Sequence, residues 1–189
     1  DSLTGLPNRQ LLHRDFAQRV GAHGQAALFL LDLDRFKDVN DTLGHHVGDR
    51  LLAQLAARLV DAATDGALAC RLGGDEFSVL VPGVVDGAVA VAHGERLRAL
   101  LGEPFAIDGM VLQIDASVGV AIAPEHGRDS HELLRAADVA MYEAKRRGGG
   151  VVPYDASLDP HSPERLALIG DLDRAIRERE MALHFQPKL

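Results

Sequence analysis

The chain has 189 residues, of which 47% are apolar and 4% aromatic, with no tryptophan. This is length and apolar content enough to bury a core of Leu, Val and Ala, and it excludes a disordered chain. A net charge of −8 argues against broad electrostatic binding of nucleic acid or of an anionic membrane surface, though not against a nucleotide held through a metal.

The single cysteine, Cys70, excludes an internal disulfide framework and suits a reducing cytoplasm. No apolar run approaches the roughly 20 residues of a membrane span, and no signal peptide opens the chain. The expectation is a cytoplasmic domain without membrane contact of its own. The abrupt start at Asp1-Ser2-Leu3-Thr4 and the end at Gln186-Pro187-Lys188-Leu189 read as cuts in a longer parent, which a missing upstream region can anchor to a membrane.

Asp1 to Arg9 is a turn-rich entry in which Pro7 suits an early helical position. Leu11, Leu12, Phe16 and Val20 recur at helical spacing and predict a helix to about residue 22. Ala26 to Asp34 is the first strand, and its nearly continuous apolar run places it in the centre of a sheet. Asp32 and Asp34 end it. They are expected to diverge to opposite faces, so that only one meets a site shared with other acids; a strand end simply reaching water is the plainer alternative.

Arg35 to Asp41 is a polar turn or short helix whose start offers backbone N–H groups to phosphate. Asn40 and Asp49 form a pair able to read a purine edge, or serve as cap and turn residues. His45 and His46 are adjacent, lack the spacing of a helical metal pair, and read as structural or surface groups. A second amphipathic helix is predicted from Asp49 to Ala63, and Asp65-Gly66 turns the chain.

Ala67 to Arg71 is a short strand leading into Arg71-Leu72-Gly73-Gly74-Asp75-Glu76-Phe77, and Phe77 to Val81 is the strand that leaves it. The two glycines free the backbone to turn tightly and approach a ligand, and two carboxylates follow at once. Taken alone, this stretch reads equally as an ordinary Gly-Gly hairpin with solvated acids. Cys70 reads as packed.

A helix follows over roughly 85–101. Phe105–Ile107 and Met110–Ile122 form a hairpin around Asp108-Gly109, its second arm one long alternating strand. Asp129 or Ser130 caps a helix running to about Arg147, which ends in Lys145, Arg146 and Arg147. That basic cluster either complements the helix C-terminus or reaches toward phosphates. Val151 to Tyr154 is a closing strand. From Asp155 to Pro163 the composition shifts to Asp, Ser and Pro, a boundary. Glu164 to Glu180 is a charged amphipathic helix, and Met181 to Gln186 starts a strand of a further unit. Hairpins mixed with crossovers predict an α/β (α+β) fold with a mixed sheet covered by helices.

Asp32 beside Asp75 and Glu76 gives oxygen ligands without supporting His or Cys, which suits Mg²⁺ or Mn²⁺ rather than zinc. Such a site neutralises a triphosphate and assists in-line attack by a hydroxyl, so nucleotidyl transfer is the expected reaction. No Walker loop is present, and no Ser or Cys has the partners of a nucleophile.

Gly73-Gly74-Asp75-Glu76-Phe77 resembles the signature of the GGDEF family, the diguanylate cyclases. So do the opening Asp1 to Arg9, the segments Asp32 to Asp41 and Gly44 to Asp49, Ser117-Val118-Gly119-Val120-Ala121, and Ala137 to Lys145, in that order. The resemblance covers about residues 1–154 and implies a palm-like βαββαβ nucleotidyl cyclase core. It implies that two GTP molecules become cyclic di-GMP and pyrophosphate, one GTP per subunit of an antiparallel homodimer. By position, Asp32, Asp75 and the Leu33 carbonyl would ligate Mg²⁺ (or Mn²⁺), with Glu76 a metal or catalytic carboxylate. An acid of the hairpin, Asp75 or Glu76, would help deprotonate the 3′-hydroxyl. Asn40 and Asp49 would bind guanine. Phe36, Lys37, Gly73, Gly74 and Lys145 would complete the substrate site. The alternative is a GTP-binding regulatory module without chemistry.

Two departures stand out. The family usually carries Gly-Arg-Asn after the lysine, where this chain has Gly148-Gly149-Gly150. Arg146 or Arg147 are the candidates to replace that arginine. The family's inhibitory Arg-x-x-Asp is replaced by Thr64-Asp65-Gly66-Ala67, so no product inhibition is expected there. Residues 181–189 resemble the opening of an EAL phosphodiesterase domain. The implied organisation is a cyclase domain over 1–154, a linker and connector helix over 155–180, and the first strand of a truncated EAL domain over 181–189, without phosphodiesterase activity of its own.

Overall fold

The alternation of side chains along the strands sorts the core into two layers, one on each face of a central sheet. The computed structural model describes residues 1–21, 24–63, 66–159 and 174–178. The chain divides into two units, Asp1–Tyr154 and Asp155–Leu189.

In the first unit the elements run α1 (Arg9–Val20), β1 (Ala26–Leu33), α2 (Phe36–Leu43), α3 (His45–Ala62), β2 (Leu68–Gly73), β3 (Glu76–Pro82), α4 (Gly87–Leu101), β4 (Phe105–Ile107), β5 (Met110–Leu112), β6 (Ala116–Ala123), α5 (Ser130–Arg146) and β7 (Gly150–Pro153). The sheet order is β2-β3-β1-β6-β7, antiparallel except for the parallel β6–β7 pair, and β4–β5 is a separate hairpin. This is the mixed, helix-covered sheet expected. The apolar run of β1 is buried at all eight positions, as a middle strand covered on both faces requires.

Odd-numbered residues of β1, namely Ala27, Phe29, Leu31 and Leu33, face a layer built from α2, α3 and α4, including Leu51, Leu55 and Leu59. Even-numbered Ala26, Leu28 and Leu30 face Leu12 and Phe16 of α1 and Leu133, Ala137 and Met141 of α5. Gly119 of β6 lies on this second face. A Cβ there would collide with the α5 backbone at Ala137 O and Met141 N, so helix and sheet touch main chain to main chain.

Three sequence expectations need correction. The second helix starts at His45 rather than Asp49, so His45 and His46 are exposed residues of its first turn. The long strand predicted over 110–122 is two strands. Gln113-Ile114-Asp115 interrupts it, and β6 leaves the hairpin to join the main sheet with every residue buried. Third, the strand into the glycine hairpin extends through Gly73. Asp108 and Gly109 both take positive φ, 52° and 78°, as the Asp-Gly turn requires. Cys70 is fully buried, and burial pushes its thiol up to about 11, so it is packed and unreactive.

The second unit shows a 3-10 turn at Ala156–Leu158, capped by Asp155, and helical backbone over residues 174–177. The rest of the expected connector helix and the strand from Met181 lie outside the described residues.

Candidate active site

The ends of β1, β3 and β6 bring the acids together. Asp32 sits opposite Glu76 on one side and Ser117 on the other. Residues directly opposite in antiparallel strands project to the same face, so all three side chains share the α5 side of the sheet. Asp32 is 7% exposed. Asp34 does not diverge to the other face. Residues two apart along extended backbone share a face. Asp32 and Asp34 accordingly line one cavity, and Asp34 Oδ1 accepts a 2.8 Å hydrogen bond from Ser117 Oγ.

Asp75 is delivered by a two-residue turn, Gly74-Asp75, between β2 and β3. Gly73 at φ 152° and Gly74 at φ 52° adopt backbone that side chains disfavour, which is why both letters are glycine. Arg71 locks the turn. Its guanidinium donates to the Gly74 carbonyl at 3.0 and 2.7 Å and to Asp1 Oδ1 at 2.9 Å. Its backbone N–H reaches the Pro7 carbonyl. Sequence reasoning assigned Arg71 no role, although an arginine three residues before a carbonyl that must be held in a tight turn was the available signal. Glu76 has Arg9 at 3.9 Å, both side chains exposed enough that the pair contributes little.

The nearest cation to Asp32 is Lys145 of α5, its Nζ 2.7 Å from Oδ2. Burial drives the Asp32 carboxyl above the ordinary carboxylate range, Lys145 opposes this, and the negative charges of Asp75 and Glu76 push it up further. Asp32, Asp75 and Glu76 thus crowd one place, where Lys145 is in contact with Asp32 and Arg9 stands near Glu76.

Asp32, Asp75 and Lys145 stand on the wall of a cavity of about 970 Å³, within the range of small-molecule sites. Asp32, Leu33, Asp75, Phe36, Lys37 and Lys145 line it. The proposed guanine readers do not. Asn40 is half-buried on α2, tight against Gly48, where a Cβ would overlap Asn40 Oδ1. Asp49 follows Gly48 and is exposed. Gly73, the end of β2, and Gly74 of the turn lie outside the cavity wall, and Glu76 is joined to it through Asp32.

Among the described residues, no three or more His, Cys, Asp or Glu side chains form a ready-made metal cage. Mg²⁺ does not need one, because it keeps several waters and takes one or two carboxylates plus substrate phosphates. Asp32, Asp75 and the Leu33 carbonyl, on one cavity wall and all oxygen, fit that demand and not the nitrogen and sulfur preference of zinc.

The start of α2 also lines the cavity. Its N-cap, Arg35, takes a left-handed backbone (φ 59°, ψ 24°) and makes no side-chain capping bond. For a non-glycine residue this conformation costs on the order of 1–3 kcal/mol. Arg146 and Arg147, the expected substitutes for the absent arginine, are bound by Glu143 of their own helix at 3.0 and 2.9 Å and do not line the cavity. Thr64 and Asp65, in place of the inhibitory motif, lie outside the described residues. No helix among the described residues is long and apolar enough to cross a membrane.

Comparison with known proteins gives the family of this fold. The family described as diguanylate cyclase, GGDEF domain, matches residues 1–150. The bifunctional diguanylate cyclase/cyclic di-GMP phosphodiesterase MucR of Pseudomonas aeruginosa is 38% identical over 194 residues, covering 100% of this chain and 28% of MucR. The cyclic di-GMP phosphodiesterase PdeR of Escherichia coli is 36% identical, covering 100% of this chain and 29% of PdeR. The chain therefore spans under a third of the length of these relatives. Among solved structures, the GGDEF domain of YfiN (TpbB) from Pseudomonas aeruginosa superposes with a TM-score of 0.75 at 35% identity, covering 80% of this chain and 98% of that one.

Proposed function

This chain belongs to the diguanylate cyclase GGDEF-domain family, and from that premise we propose that it condenses two GTP molecules into cyclic di-GMP, releasing two pyrophosphates, with one GTP on each subunit of a homodimer. The observation that carries the proposal is the register of Asp32 against Glu76, with Asp75 in the adjoining turn, beside a cavity that the start of α2 also lines. Backbone N–H groups at Phe36 and Lys37 are unpaired within a helix's first turn and suit phosphate oxygens. Lys145 bonds a phosphate once it leaves Asp32. Asn40 and Asp49 hold the guanine edge beyond the residues that line the cavity, and Gly73 and Gly74 let the nucleotide approach the hairpin backbone.

Asp32, Asp75 and the Leu33 carbonyl would hold Mg²⁺ (or Mn²⁺), with Glu76 in the same acidic site; when bound, the ion neutralises triphosphate charge. Asp75 or Glu76 accepts the proton of the 3′-hydroxyl, whose oxygen forms the new bond to the α-phosphorus of the opposing GTP as pyrophosphate leaves. An antiparallel pair of subunits does this twice. On this reading residues 155–180 are a connector and 181–189 the opening of an EAL domain, supported by the match of the bifunctional MucR over 100% of this chain, and the parent works in the cytoplasm, where GTP is.

Incubation with GTP and magnesium, followed by chromatography, should yield cyclic di-GMP, and ATP should yield no cyclic product. Equal use of GTP and ATP would remove the guanine assignment. A second reading, a GTP-binding module regulating an adjoining phosphodiesterase, is favoured by Lys145 lying on Asp32 and by the likeness to PdeR. Binding of GTP without turnover would select it.

A further inference from the structure

Three cations stand on the cavity wall: Arg35, Lys37 and Lys145. They face a lining rich in carboxylates, including Asp32, Asp34 and Asp75. Lys145 is engaged with Asp32. At the end of α5 nothing else is available. Arg146 and Arg147 turn back onto Glu143, and Gly148, Gly149 and Gly150 follow with φ of 89°, 108° and 102°. A side chain on such backbone is strained, and at Gly149 a Cβ would already sit 3.4 Å from Asp34 Oδ2.

Arg35 differs. It is exposed and makes no ion pair or side-chain hydrogen bond among the described residues. Its carbonyl accepts from Asp38 N at 2.9 Å, which ties its backbone to the first turn of α2, whose residues Phe36, Lys37 and Asp38 line the same cavity. Neither capping nor packing accounts for a long basic side chain on left-handed backbone where glycine or asparagine is cheaper.

We propose that Arg35 supplies the guanidinium that grips the β- and γ-phosphates of the nucleotide, so that the triphosphate lies between the start of α2 and Lys145. The inference deepens the cyclase reading and rests on GTP occupying this cavity. A planar guanidinium donates two parallel bonds to a phosphate, which neither Lys37 nor Lys145 can do.

Calorimetric titration of the full chain with α,β-methylene GTP, and separately with GMP, in magnesium tests it without turnover. Arg35→Ala should bind the analogue about 10- to 100-fold more weakly than wild type, with GMP affinity nearly unchanged. Arg35→Gly relaxes the backbone yet should show the same loss, which separates side-chain contact from strain. Arg35→Lys should recover only part, and Arg146→Ala and Arg147→Ala should bind like wild type. Wild-type affinity in both Arg35→Ala and Arg35→Gly, or an equal loss for GMP, would overturn the assignment. Wild-type protein that binds neither nucleotide would overturn the cyclase reading itself, and the role of Arg35 with it.

Discussion

Gly119→Ala is a one-carbon change whose consequence is set by the contact between β6 and α5. The added Cβ would stand 2.9 Å from Met141 Cα and closer still to Ala137 O and Met141 N. All three atoms are helix backbone, so no side chain can rotate away and α5 itself must move. Overpacking of a tight core costs about 1–3 kcal/mol, and a rigid partner puts this case at about 3 kcal/mol. For a chain of this size that lowers Tm by roughly 6–12 °C. Because α5 also carries Lys145, whose Nζ is 2.7 Å from Asp32, the same shift should weaken GTP binding. Thermal unfolding followed by circular dichroism, with Gly87→Ala as control, is the assay. A Cβ at Gly87 meets nothing within 4 Å, in the first turn of α4, so that variant should melt at or slightly above the wild-type temperature. A Gly119→Ala protein melting within about 2 °C of wild type would refute the close-packing argument.

Asp75→Asn should abolish cyclic di-GMP formation while leaving the circular dichroism spectrum and Tm near wild type, since Asp75 is a turn residue outside the core; retained turnover would remove its role at the metal. His13 of α1 stacks on His131 at 3.8 Å and bonds Ser130 at 2.7 Å. Burial, then His131 and Arg9, hold its imidazole below the ordinary 6.5, against a weaker pull from Asp129. The unfolded chain therefore takes up this proton first, so the stability is complete above about pH 6.5 and declines as pH falls below it. His13→Asn should flatten that decline in urea titrations from pH 7.5 to 5.0; an unchanged slope would show that other groups cause it.

A continuous apolar run was enough to read the central strand, and helical spacing enough to read the helices, because each pattern is a property of a few neighbouring residues. The same holds for Gly73-Gly74, whose backbone freedom is local. The reading erred where period alone could not decide. Leu112, Ile114, Ala116, Val118 and Val120 alternate with more polar partners without a break, but the sheet that accepts β6 decides where one strand stops and the next begins. Asp32 and Asp34 were misplaced by a misapplied period, since neighbours two apart share a face. The capture of Arg146 and Arg147 by Glu143 was open to view at spacings of three and four on a helix and went unused.

What composition and local pattern settled was therefore a class of fold, a set of acids and the hairpin that carries two of them. Which acids meet, and which cation answers them, was decided by folding. Lys145 reaches Asp32 only because α5 lies against β6 at a residue with no side chain, and Ser117 reaches Asp34 across 83 residues of sequence only because β6 pairs with β1. Coulombic and hydrogen-bonding partners are chosen by distance in space, and that distance is set by how the layers stack, which no short window of residues contains.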